Sequence, residues 1–166
     1  MKEFFPKRSN SLSKQVIMGL FIISLAAMFF STVPNLPYHS IMQLFSLIVL
    51  AFAIALLGRY EFKTYVYAIS EGENGNLDLT VTEIKRRSRI TVCRVGLNGI
   101  KEVIDVTKDN KKKLKETLRG RKTFNYCIDM APSHSCCVVT EECGEELVIY
   151  LSHISELYDI LSSYAK

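Results

Sequence analysis

Between Lys14 and Arg59 the chain carries no formally charged side chain over more than forty consecutive positions. A chain in which 23% of residues are Asp, Glu, Lys or Arg has no reason to leave such a gap in water. A bilayer core supplies one, because it disfavours a central charge by roughly 2.5–3.5 kcal/mol on insertion scales. The gap divides into two apolar runs, Val16–Val33 (VIMGLFIISLAAMFFSTV) and Ile41–Gly58 (IMQLFSLIVLAFAIALLG). Each measures about 27 Å as a helix, close to the roughly 30 Å of hydrocarbon in a bilayer. Between them Pro34 and Pro37 remove backbone donors and break the helix, and Tyr38 suits an interface. The expectation is a transmembrane helical hairpin over 15–58, with spans at 16–33 and 41–58, after a basic tail at 1–14 and before a domain at 59–166.

A cleaved signal peptide competes for the first run, since Lys2, Lys7, Arg8 and Lys14 would serve as its basic region. The run is longer than a usual signal core, lacks a small-x-small cleavage site, and is followed at once by a second span. Bases gather before the first span and after the second, with none in the connector, so the positive-inside rule predicts a two-pass protein of the cell membrane with both termini cytoplasmic. No Asn-x-Ser/Thr acceptor occurs, in keeping with that placement. Ser24, Gln43 and Ser46 are among the few polar residues inside the spans, and no ionisable group there marks a conduction path. Ala51 and Ala55 offer a small-xxx-small pair for helix packing.

Beyond Arg59 the apolar period becomes two. Alternation and composition predict strands over 62–69, 77–84, 89–95, 100–106, 122–130, 135–141 and 146–151, with turns at Ser70–Asn76, Ala131–His134 and Glu142–Glu145. Asp109–Arg119 reads as a short polar helix or a loop, its apolar anchors being Leu114 and Leu118. Leu157, Ile160, Leu161 and Tyr164 fall at helical spacing, with Ser152 or Ser155 as N-cap.

Tyr65–Ile69, the hairpin Leu77–Val95 and the following Gly96-Leu97-x-x-Ile100-x-x-Val103 carry a resemblance. On these residues the chain resembles the bacterial membrane proteins in which a two-helix hairpin precedes a pleckstrin-homology-like (PH-like) domain. The resemblance implies an α+β membrane protein whose domain is an antiparallel seven-stranded barrel or sandwich capped by a C-terminal helix. It also implies a non-enzymatic binding or scaffolding role, as such domains read lipids, read peptides or serve as scaffolds. The eukaryotic members place phosphoinositide-binding bases around the first hairpin loop, whereas here that loop is the acidic SEGENGN.

Charge is sharply segregated along the domain. Residues 59–84 net −3, residues 85–122 net +10, and residues 123–166 net −6. The basic block places Lys85, Arg86, Arg87 and Arg89 at a hairpin tip and Lys111, Lys112 and Lys113 in the segment after the fourth strand. Bases close to an anionic leaflet are worth about 1 kcal/mol each, so these seven are candidate contacts for anionic lipid headgroups or for a protein partner. The alternative function is therefore an anionic-lipid surface sensor using the block 85–122. No nucleic acid is expected, since no reading helix or stacking platform accompanies the bases.

Five cysteines in a region assigned to a reducing compartment do not make a disulfide framework. His134, Cys136 and Cys143 are close enough in sequence to be weighed as metal ligands, and a metal- or thiol-dependent activity at 127–143 is a second alternative. Against it, neighbouring strand residues point to opposite faces, so Cys136 and Cys137 should not share a metal. No catalytic motif stands out, and no cofactor is expected. His153 has no nucleophile signature beside it, and the acid pairs flanking Gly144 read as a solvated turn.

Overall fold

Unbroken apolar composition sets the two long helices and period-two alternation sets the strands. A computed structural model describes residues 2–8, 11–33, 38–72, 75–85, 88–142 and 144–165. It divides into two compact units, Asn10–Lys63 and the combination of Met1–Ser9 with Thr64–Lys166.

The first unit is a helical hairpin of α1 (Leu12–Ser31) and α2 (His39–Tyr60). Ser13 Oγ meets Glu61 Oε1 at 3.3 Å and Ser24 meets Ser46 further along, so the helices run antiparallel. Both are long and apolar enough to cross a membrane, and little of either is buried. The distribution of side chains is inverted relative to a pair of helices in water. Buried positions are Ser13, Ile17, Ser24, Ala27 and Ser31 on α1 and Ser46 and Ala53 on α2. Leu25, Phe29, Leu44 and Ile48 are each more than half exposed. Ser24 Oγ donates to the Ser46 carbonyl at 3.0 Å and Ser46 Oγ donates to the Ser24 carbonyl at 2.8 Å. Small residues and interhelical hydroxyl bonds are what hold helices together where the surroundings are as apolar as the side chains. The packing role expected of Ala51 and Ala55 falls to Ser46 and Ala53, because both alanines face outward.

In the second unit, β1 (Lys2–Phe4), β2 (Thr64–Glu71), β3 (Leu77–Lys85) and β4 (Ser88–Gly96) form an antiparallel sheet in chain order. A register shift at Val81/Thr82 leaves Val92 unpaired on β4, a bulge of the kind that sharpens sheet twist. After a short 3₁₀ turn at Leu97–Gly99 come β5 (Ile100–Thr107), α3 (Lys111–Thr117), β6 (Lys122–Asn125), β7 (His134–Glu142), β8 (Glu145–Ser152) and α4 (Ser155–Tyr164). The second sheet has the order β5-β7-β8-β6, with β6 parallel to β8. Since β5 and β8 are both antiparallel to β7, β5 and β6 run the same way and α3 crosses between them.

Among the described residues seven strands follow the helical hairpin as expected, and the chain is α+β, with corrections. The sheets do not close into a barrel, and the second is mixed rather than antiparallel. The physical reason lies after Asn125. Its Oδ1 accepts from the Cys127 N–H, and Ile128 N–H donates to Ser152 Oγ. The strand expected to reach residue 130 therefore stops after four residues, with no tight turn to fold β6 back on β7. Ser152, so engaged, does not cap α4; the residue before that helix is Ile154, and Ser155 is its first residue.

One core lies between the sheets. Tyr67, Leu79, Val81 and Val95 of the first sheet meet Cys136, Val138, Ile149 and Leu151 of the second, and Leu157 and Leu161 of α4 close it. The second sheet is buried on its other face as well, where Leu114 and Leu118 pack on Val106, Cys137, Val139 and Val148. This explains why β7 is buried without a break from Ser135 to Thr140. Tyr67 ties the layers, its hydroxyl donating to the Tyr126 carbonyl at 2.9 Å and accepting from the Ser152 N–H at 3.0 Å.

Candidate functional site

The facing strands β3 and β4 and one short helix carry the described basic candidates. Lys85 pairs with Ser88 across the β3–β4 tip and is exposed; Arg86 and Arg87 lie outside the described residues. Arg89, on β4, stands 3.8 Å from Glu3 of β1. Lys111, Lys112 and Lys113 occupy the first turn of α3. Asn110 secures the entry to that helix, accepting from the Thr107 N–H and donating to the Asp105 carbonyl, each at 2.8 Å. The tip belongs to the first sheet, whereas α3 lies on the face of the second sheet turned away from the first. The five described candidates, Lys85, Arg89, Lys111, Lys112 and Lys113, are thus distributed over different layers of the fold and do not form one basic face.

The segregated charge is in part neutralised internally. Around the β7–β8 turn, Lys101 bonds Glu141 at 2.6 Å and Glu146 at 2.9 Å, Arg121 bonds Glu146 at 3.0 Å, and Lys122 bonds Glu145 at 3.1 Å. Donating hydrogen bonds to Glu141 and Glu146 raises the Lys101 ammonium pKa, and accepting from Lys101, with Arg121 nearby, lowers that of Glu146. Arg94 bonds Asp78 at 2.8 Å. The lysines at 111, 112, 113 and 115 have no ion-pair partner among the described residues. Three of them crowd the positive end of the helix dipole, the end at which cations are disfavoured.

The cysteine region separates as alternation requires. Cys136 belongs to the core between the sheets and Cys137 to the core beneath α3. Burial pushes the Cys136 thiol up to about 12 and the Cys137 thiol up to about 11. Both are protonated at neutral pH, a poor state for a nucleophile or a metal ligand. Cys143 lies outside the described residues. His134 is exposed at the start of β7, and among the described residues no group of three or more His, Cys, Asp or Glu is arranged to hold a metal ion.

One polar cluster was missed at the level of sequence. Ser135 pairs with Ser152 across β7 and β8, which sets His134 against His153, their ring centroids 6.3 Å apart. His153 Nε2 stands 3.8 Å from Asp105 Oδ1 and its ring stacks on Tyr158. Lys7, Asp105, Asp129, Ser133, His134, Ser152 and His153 line a cleft of about 440 Å³. A hairpin centred beside Gly144 places residues 134 and 153 opposite each other, so the register was the missing signal. The His153–Asp105 separation of 3.8 Å exceeds a hydrogen bond, so these two groups are not bonded directly.

Comparison with protein-family models, with curated protein sequences and with solved structures gives no match.

Proposed function

We propose that this chain is a two-span protein of a bacterial cell membrane, with both termini in the cytoplasm and a PH-like domain acting as a non-enzymatic binding or scaffolding module. The pairing of β1 with β2 carries the reading. Lys2, Glu3 and Phe4 lie opposite Ile69, Ala68 and Tyr67, so segments before and after the apolar hairpin share one sheet. Strands that share hydrogen bonds must lie on one side of a bilayer, and the chain between them must cross it an even number of times. Two crossings suit α1 and α2, whose exposed surface is apolar and whose buried contacts are small or hydroxylic. The cytoplasmic side follows from the bases that flank the spans and are missing from the connector.

The PH-like reading is supported by the run of strands β2–β8 ahead of a closing helix, with the parallel β6–β8 pair as a departure. The binding role is supported by the exposed lysines of α3, which no carboxylate neutralises among the described residues, on a domain that follows α2 in the chain. A reporter active only outside the cytoplasm, fused in turn to each end of the full chain, should stay silent at both. Activity at either end would overturn the orientation, and activity at one end alone would be incompatible with the β1–β2 pair as well.

A further inference from the structure

Beneath α3 a cavity of about 370 Å³ opens on the outer face of the second sheet. Leu118, Cys127, Met130 and Tyr150 line it together with Thr123 and Asn125 of β6, and Lys111 and Lys115 belong to the same lining. The volume lies within the range of small-molecule sites, which combine apolar walls with a few charged or polar groups. Lys111 and Lys115 are four residues apart, hence one turn apart on the same side of the helix. Among the described residues no acidic side chain lines the cavity.

The charge pattern separates this place from the rest of the basic block. Lys101, Arg121, Lys122 and Arg94 each have a carboxylate partner, whereas Lys111 and Lys115 have none among the described residues. Lys111 also sits in the first turn, where the helix dipole opposes it. A residue placed against its local preference points to a counter-charge supplied from outside. Leu118 and Cys127 are nearly fully buried beside these cations, so the complementary molecule has an anionic head and an apolar body.

We infer that the cavity under α3 binds a single-chain anionic amphiphile, its apolar body against Leu118, Cys127, Met130 and Tyr150 and its carboxylate or phosphate head between Lys111 and Lys115. This goes beyond the scaffolding reading and does not depend on which side of the membrane the domain occupies. The probe is a decanoic acid carrying a photoreactive diazirine on its chain, with its methyl ester as the uncharged control. Both are applied to the full chain in nanodiscs of zwitterionic phosphatidylcholine, and labelled residues are mapped by mass spectrometry. The acid should label the 127–132 segment or Tyr150 at least about tenfold more than the ester, the scale expected of two charge-assisted contacts. Unlabelled decanoate or decyl phosphate should displace it, and inorganic phosphate should not.

Lys111→Glu with Lys115→Glu should reduce labelling about tenfold, the scale of two reversed charge contacts, while Lys112→Glu with Lys113→Glu, on the same helix but away from the cavity, should retain it. Thr123→Trp, which fills the cavity from the exposed strand β6, should abolish it with charge unchanged. Labelling confined to α1 and α2, equal labelling by the ester, or displacement by inorganic phosphate would each overturn the inference.

Discussion

Tyr67 shows how a single side chain can join two layers. Its ring is fully buried, and its hydroxyl serves a carbonyl and an amide on the opposite side of the core. Burial raises the phenol well above its ordinary range, so it remains a donor at any physiological pH. Tyr67→Phe leaves the Tyr126 carbonyl and the Ser152 N–H without that partner, and should lower the unfolding free energy by about 1–3 kcal/mol. Urea unfolding checks this, and an unchanged midpoint would mean that water replaces the hydroxyl at no cost. The strand that holds Tyr67 was legible in its aromatic and β-branched composition, and the opposite faces of Cys136 and Cys137 in the alternation of a strand. The partners of Tyr67 were not, because they lie 59 and 85 residues away and depend on how the sheets meet.

Among the elements, β1 is the one whose sequence gave least warning. Three residues of a basic tail show no periodicity, and only Phe4 is apolar enough to matter, at 5% exposed. Lys2 adds an ion pair with Glu156 of α4, so the segment is held at the sheet edge and at the closing helix. Phe4→Ala should destabilise the domain by roughly 3 kcal/mol, the cost of emptying a buried aromatic site, and hydrogen exchange of the β2 amides should report the loss. Exchange unchanged at β2 would show that β1 only decorates the edge. A fragment beginning after α2 would lack this strand and would understate the stability of the domain. The other strands were legible from alternation, apart from the end of β6, where an Asn side chain competes locally with the ladder. Gly99 was likewise opaque: a Cβ there would sit 2.9 Å from the Glu141 carbonyl, a contact set by a strand forty residues away.

Across the whole molecule, the charge layout has two fates. The acidic turn between β7 and β8 takes Lys101, Arg121 and Lys122, whereas the lysines of α3 stay unpaired among the described residues. The Glu146 pKa is depressed on folding, so its contribution is present above the ordinary carboxylate value and is lost as pH falls through the lower folded one. The Lys101 pKa is raised, so its share is present below the ordinary lysine value and is lost as pH rises through the higher one. Lys101→Met should therefore lower the thermal midpoint at neutral pH, with the difference closing as pH falls below the ordinary carboxylate range. Equal midpoints throughout would show that the pair contributes nothing. The sequence by itself determined the membrane-suited hairpin and the number and place of the strands after it, because a charge gap and a period of two are local properties that composition alone can impose. Only the tertiary structure decided that the chain's first residues join the domain's sheet, that β6 lies parallel beside β8, and that the basic block is divided between paired and unpaired cations. Those outcomes depend on contacts between distant segments, and no local pattern of charge or hydrophobicity encodes which distant partner a strand edge or a lysine will meet.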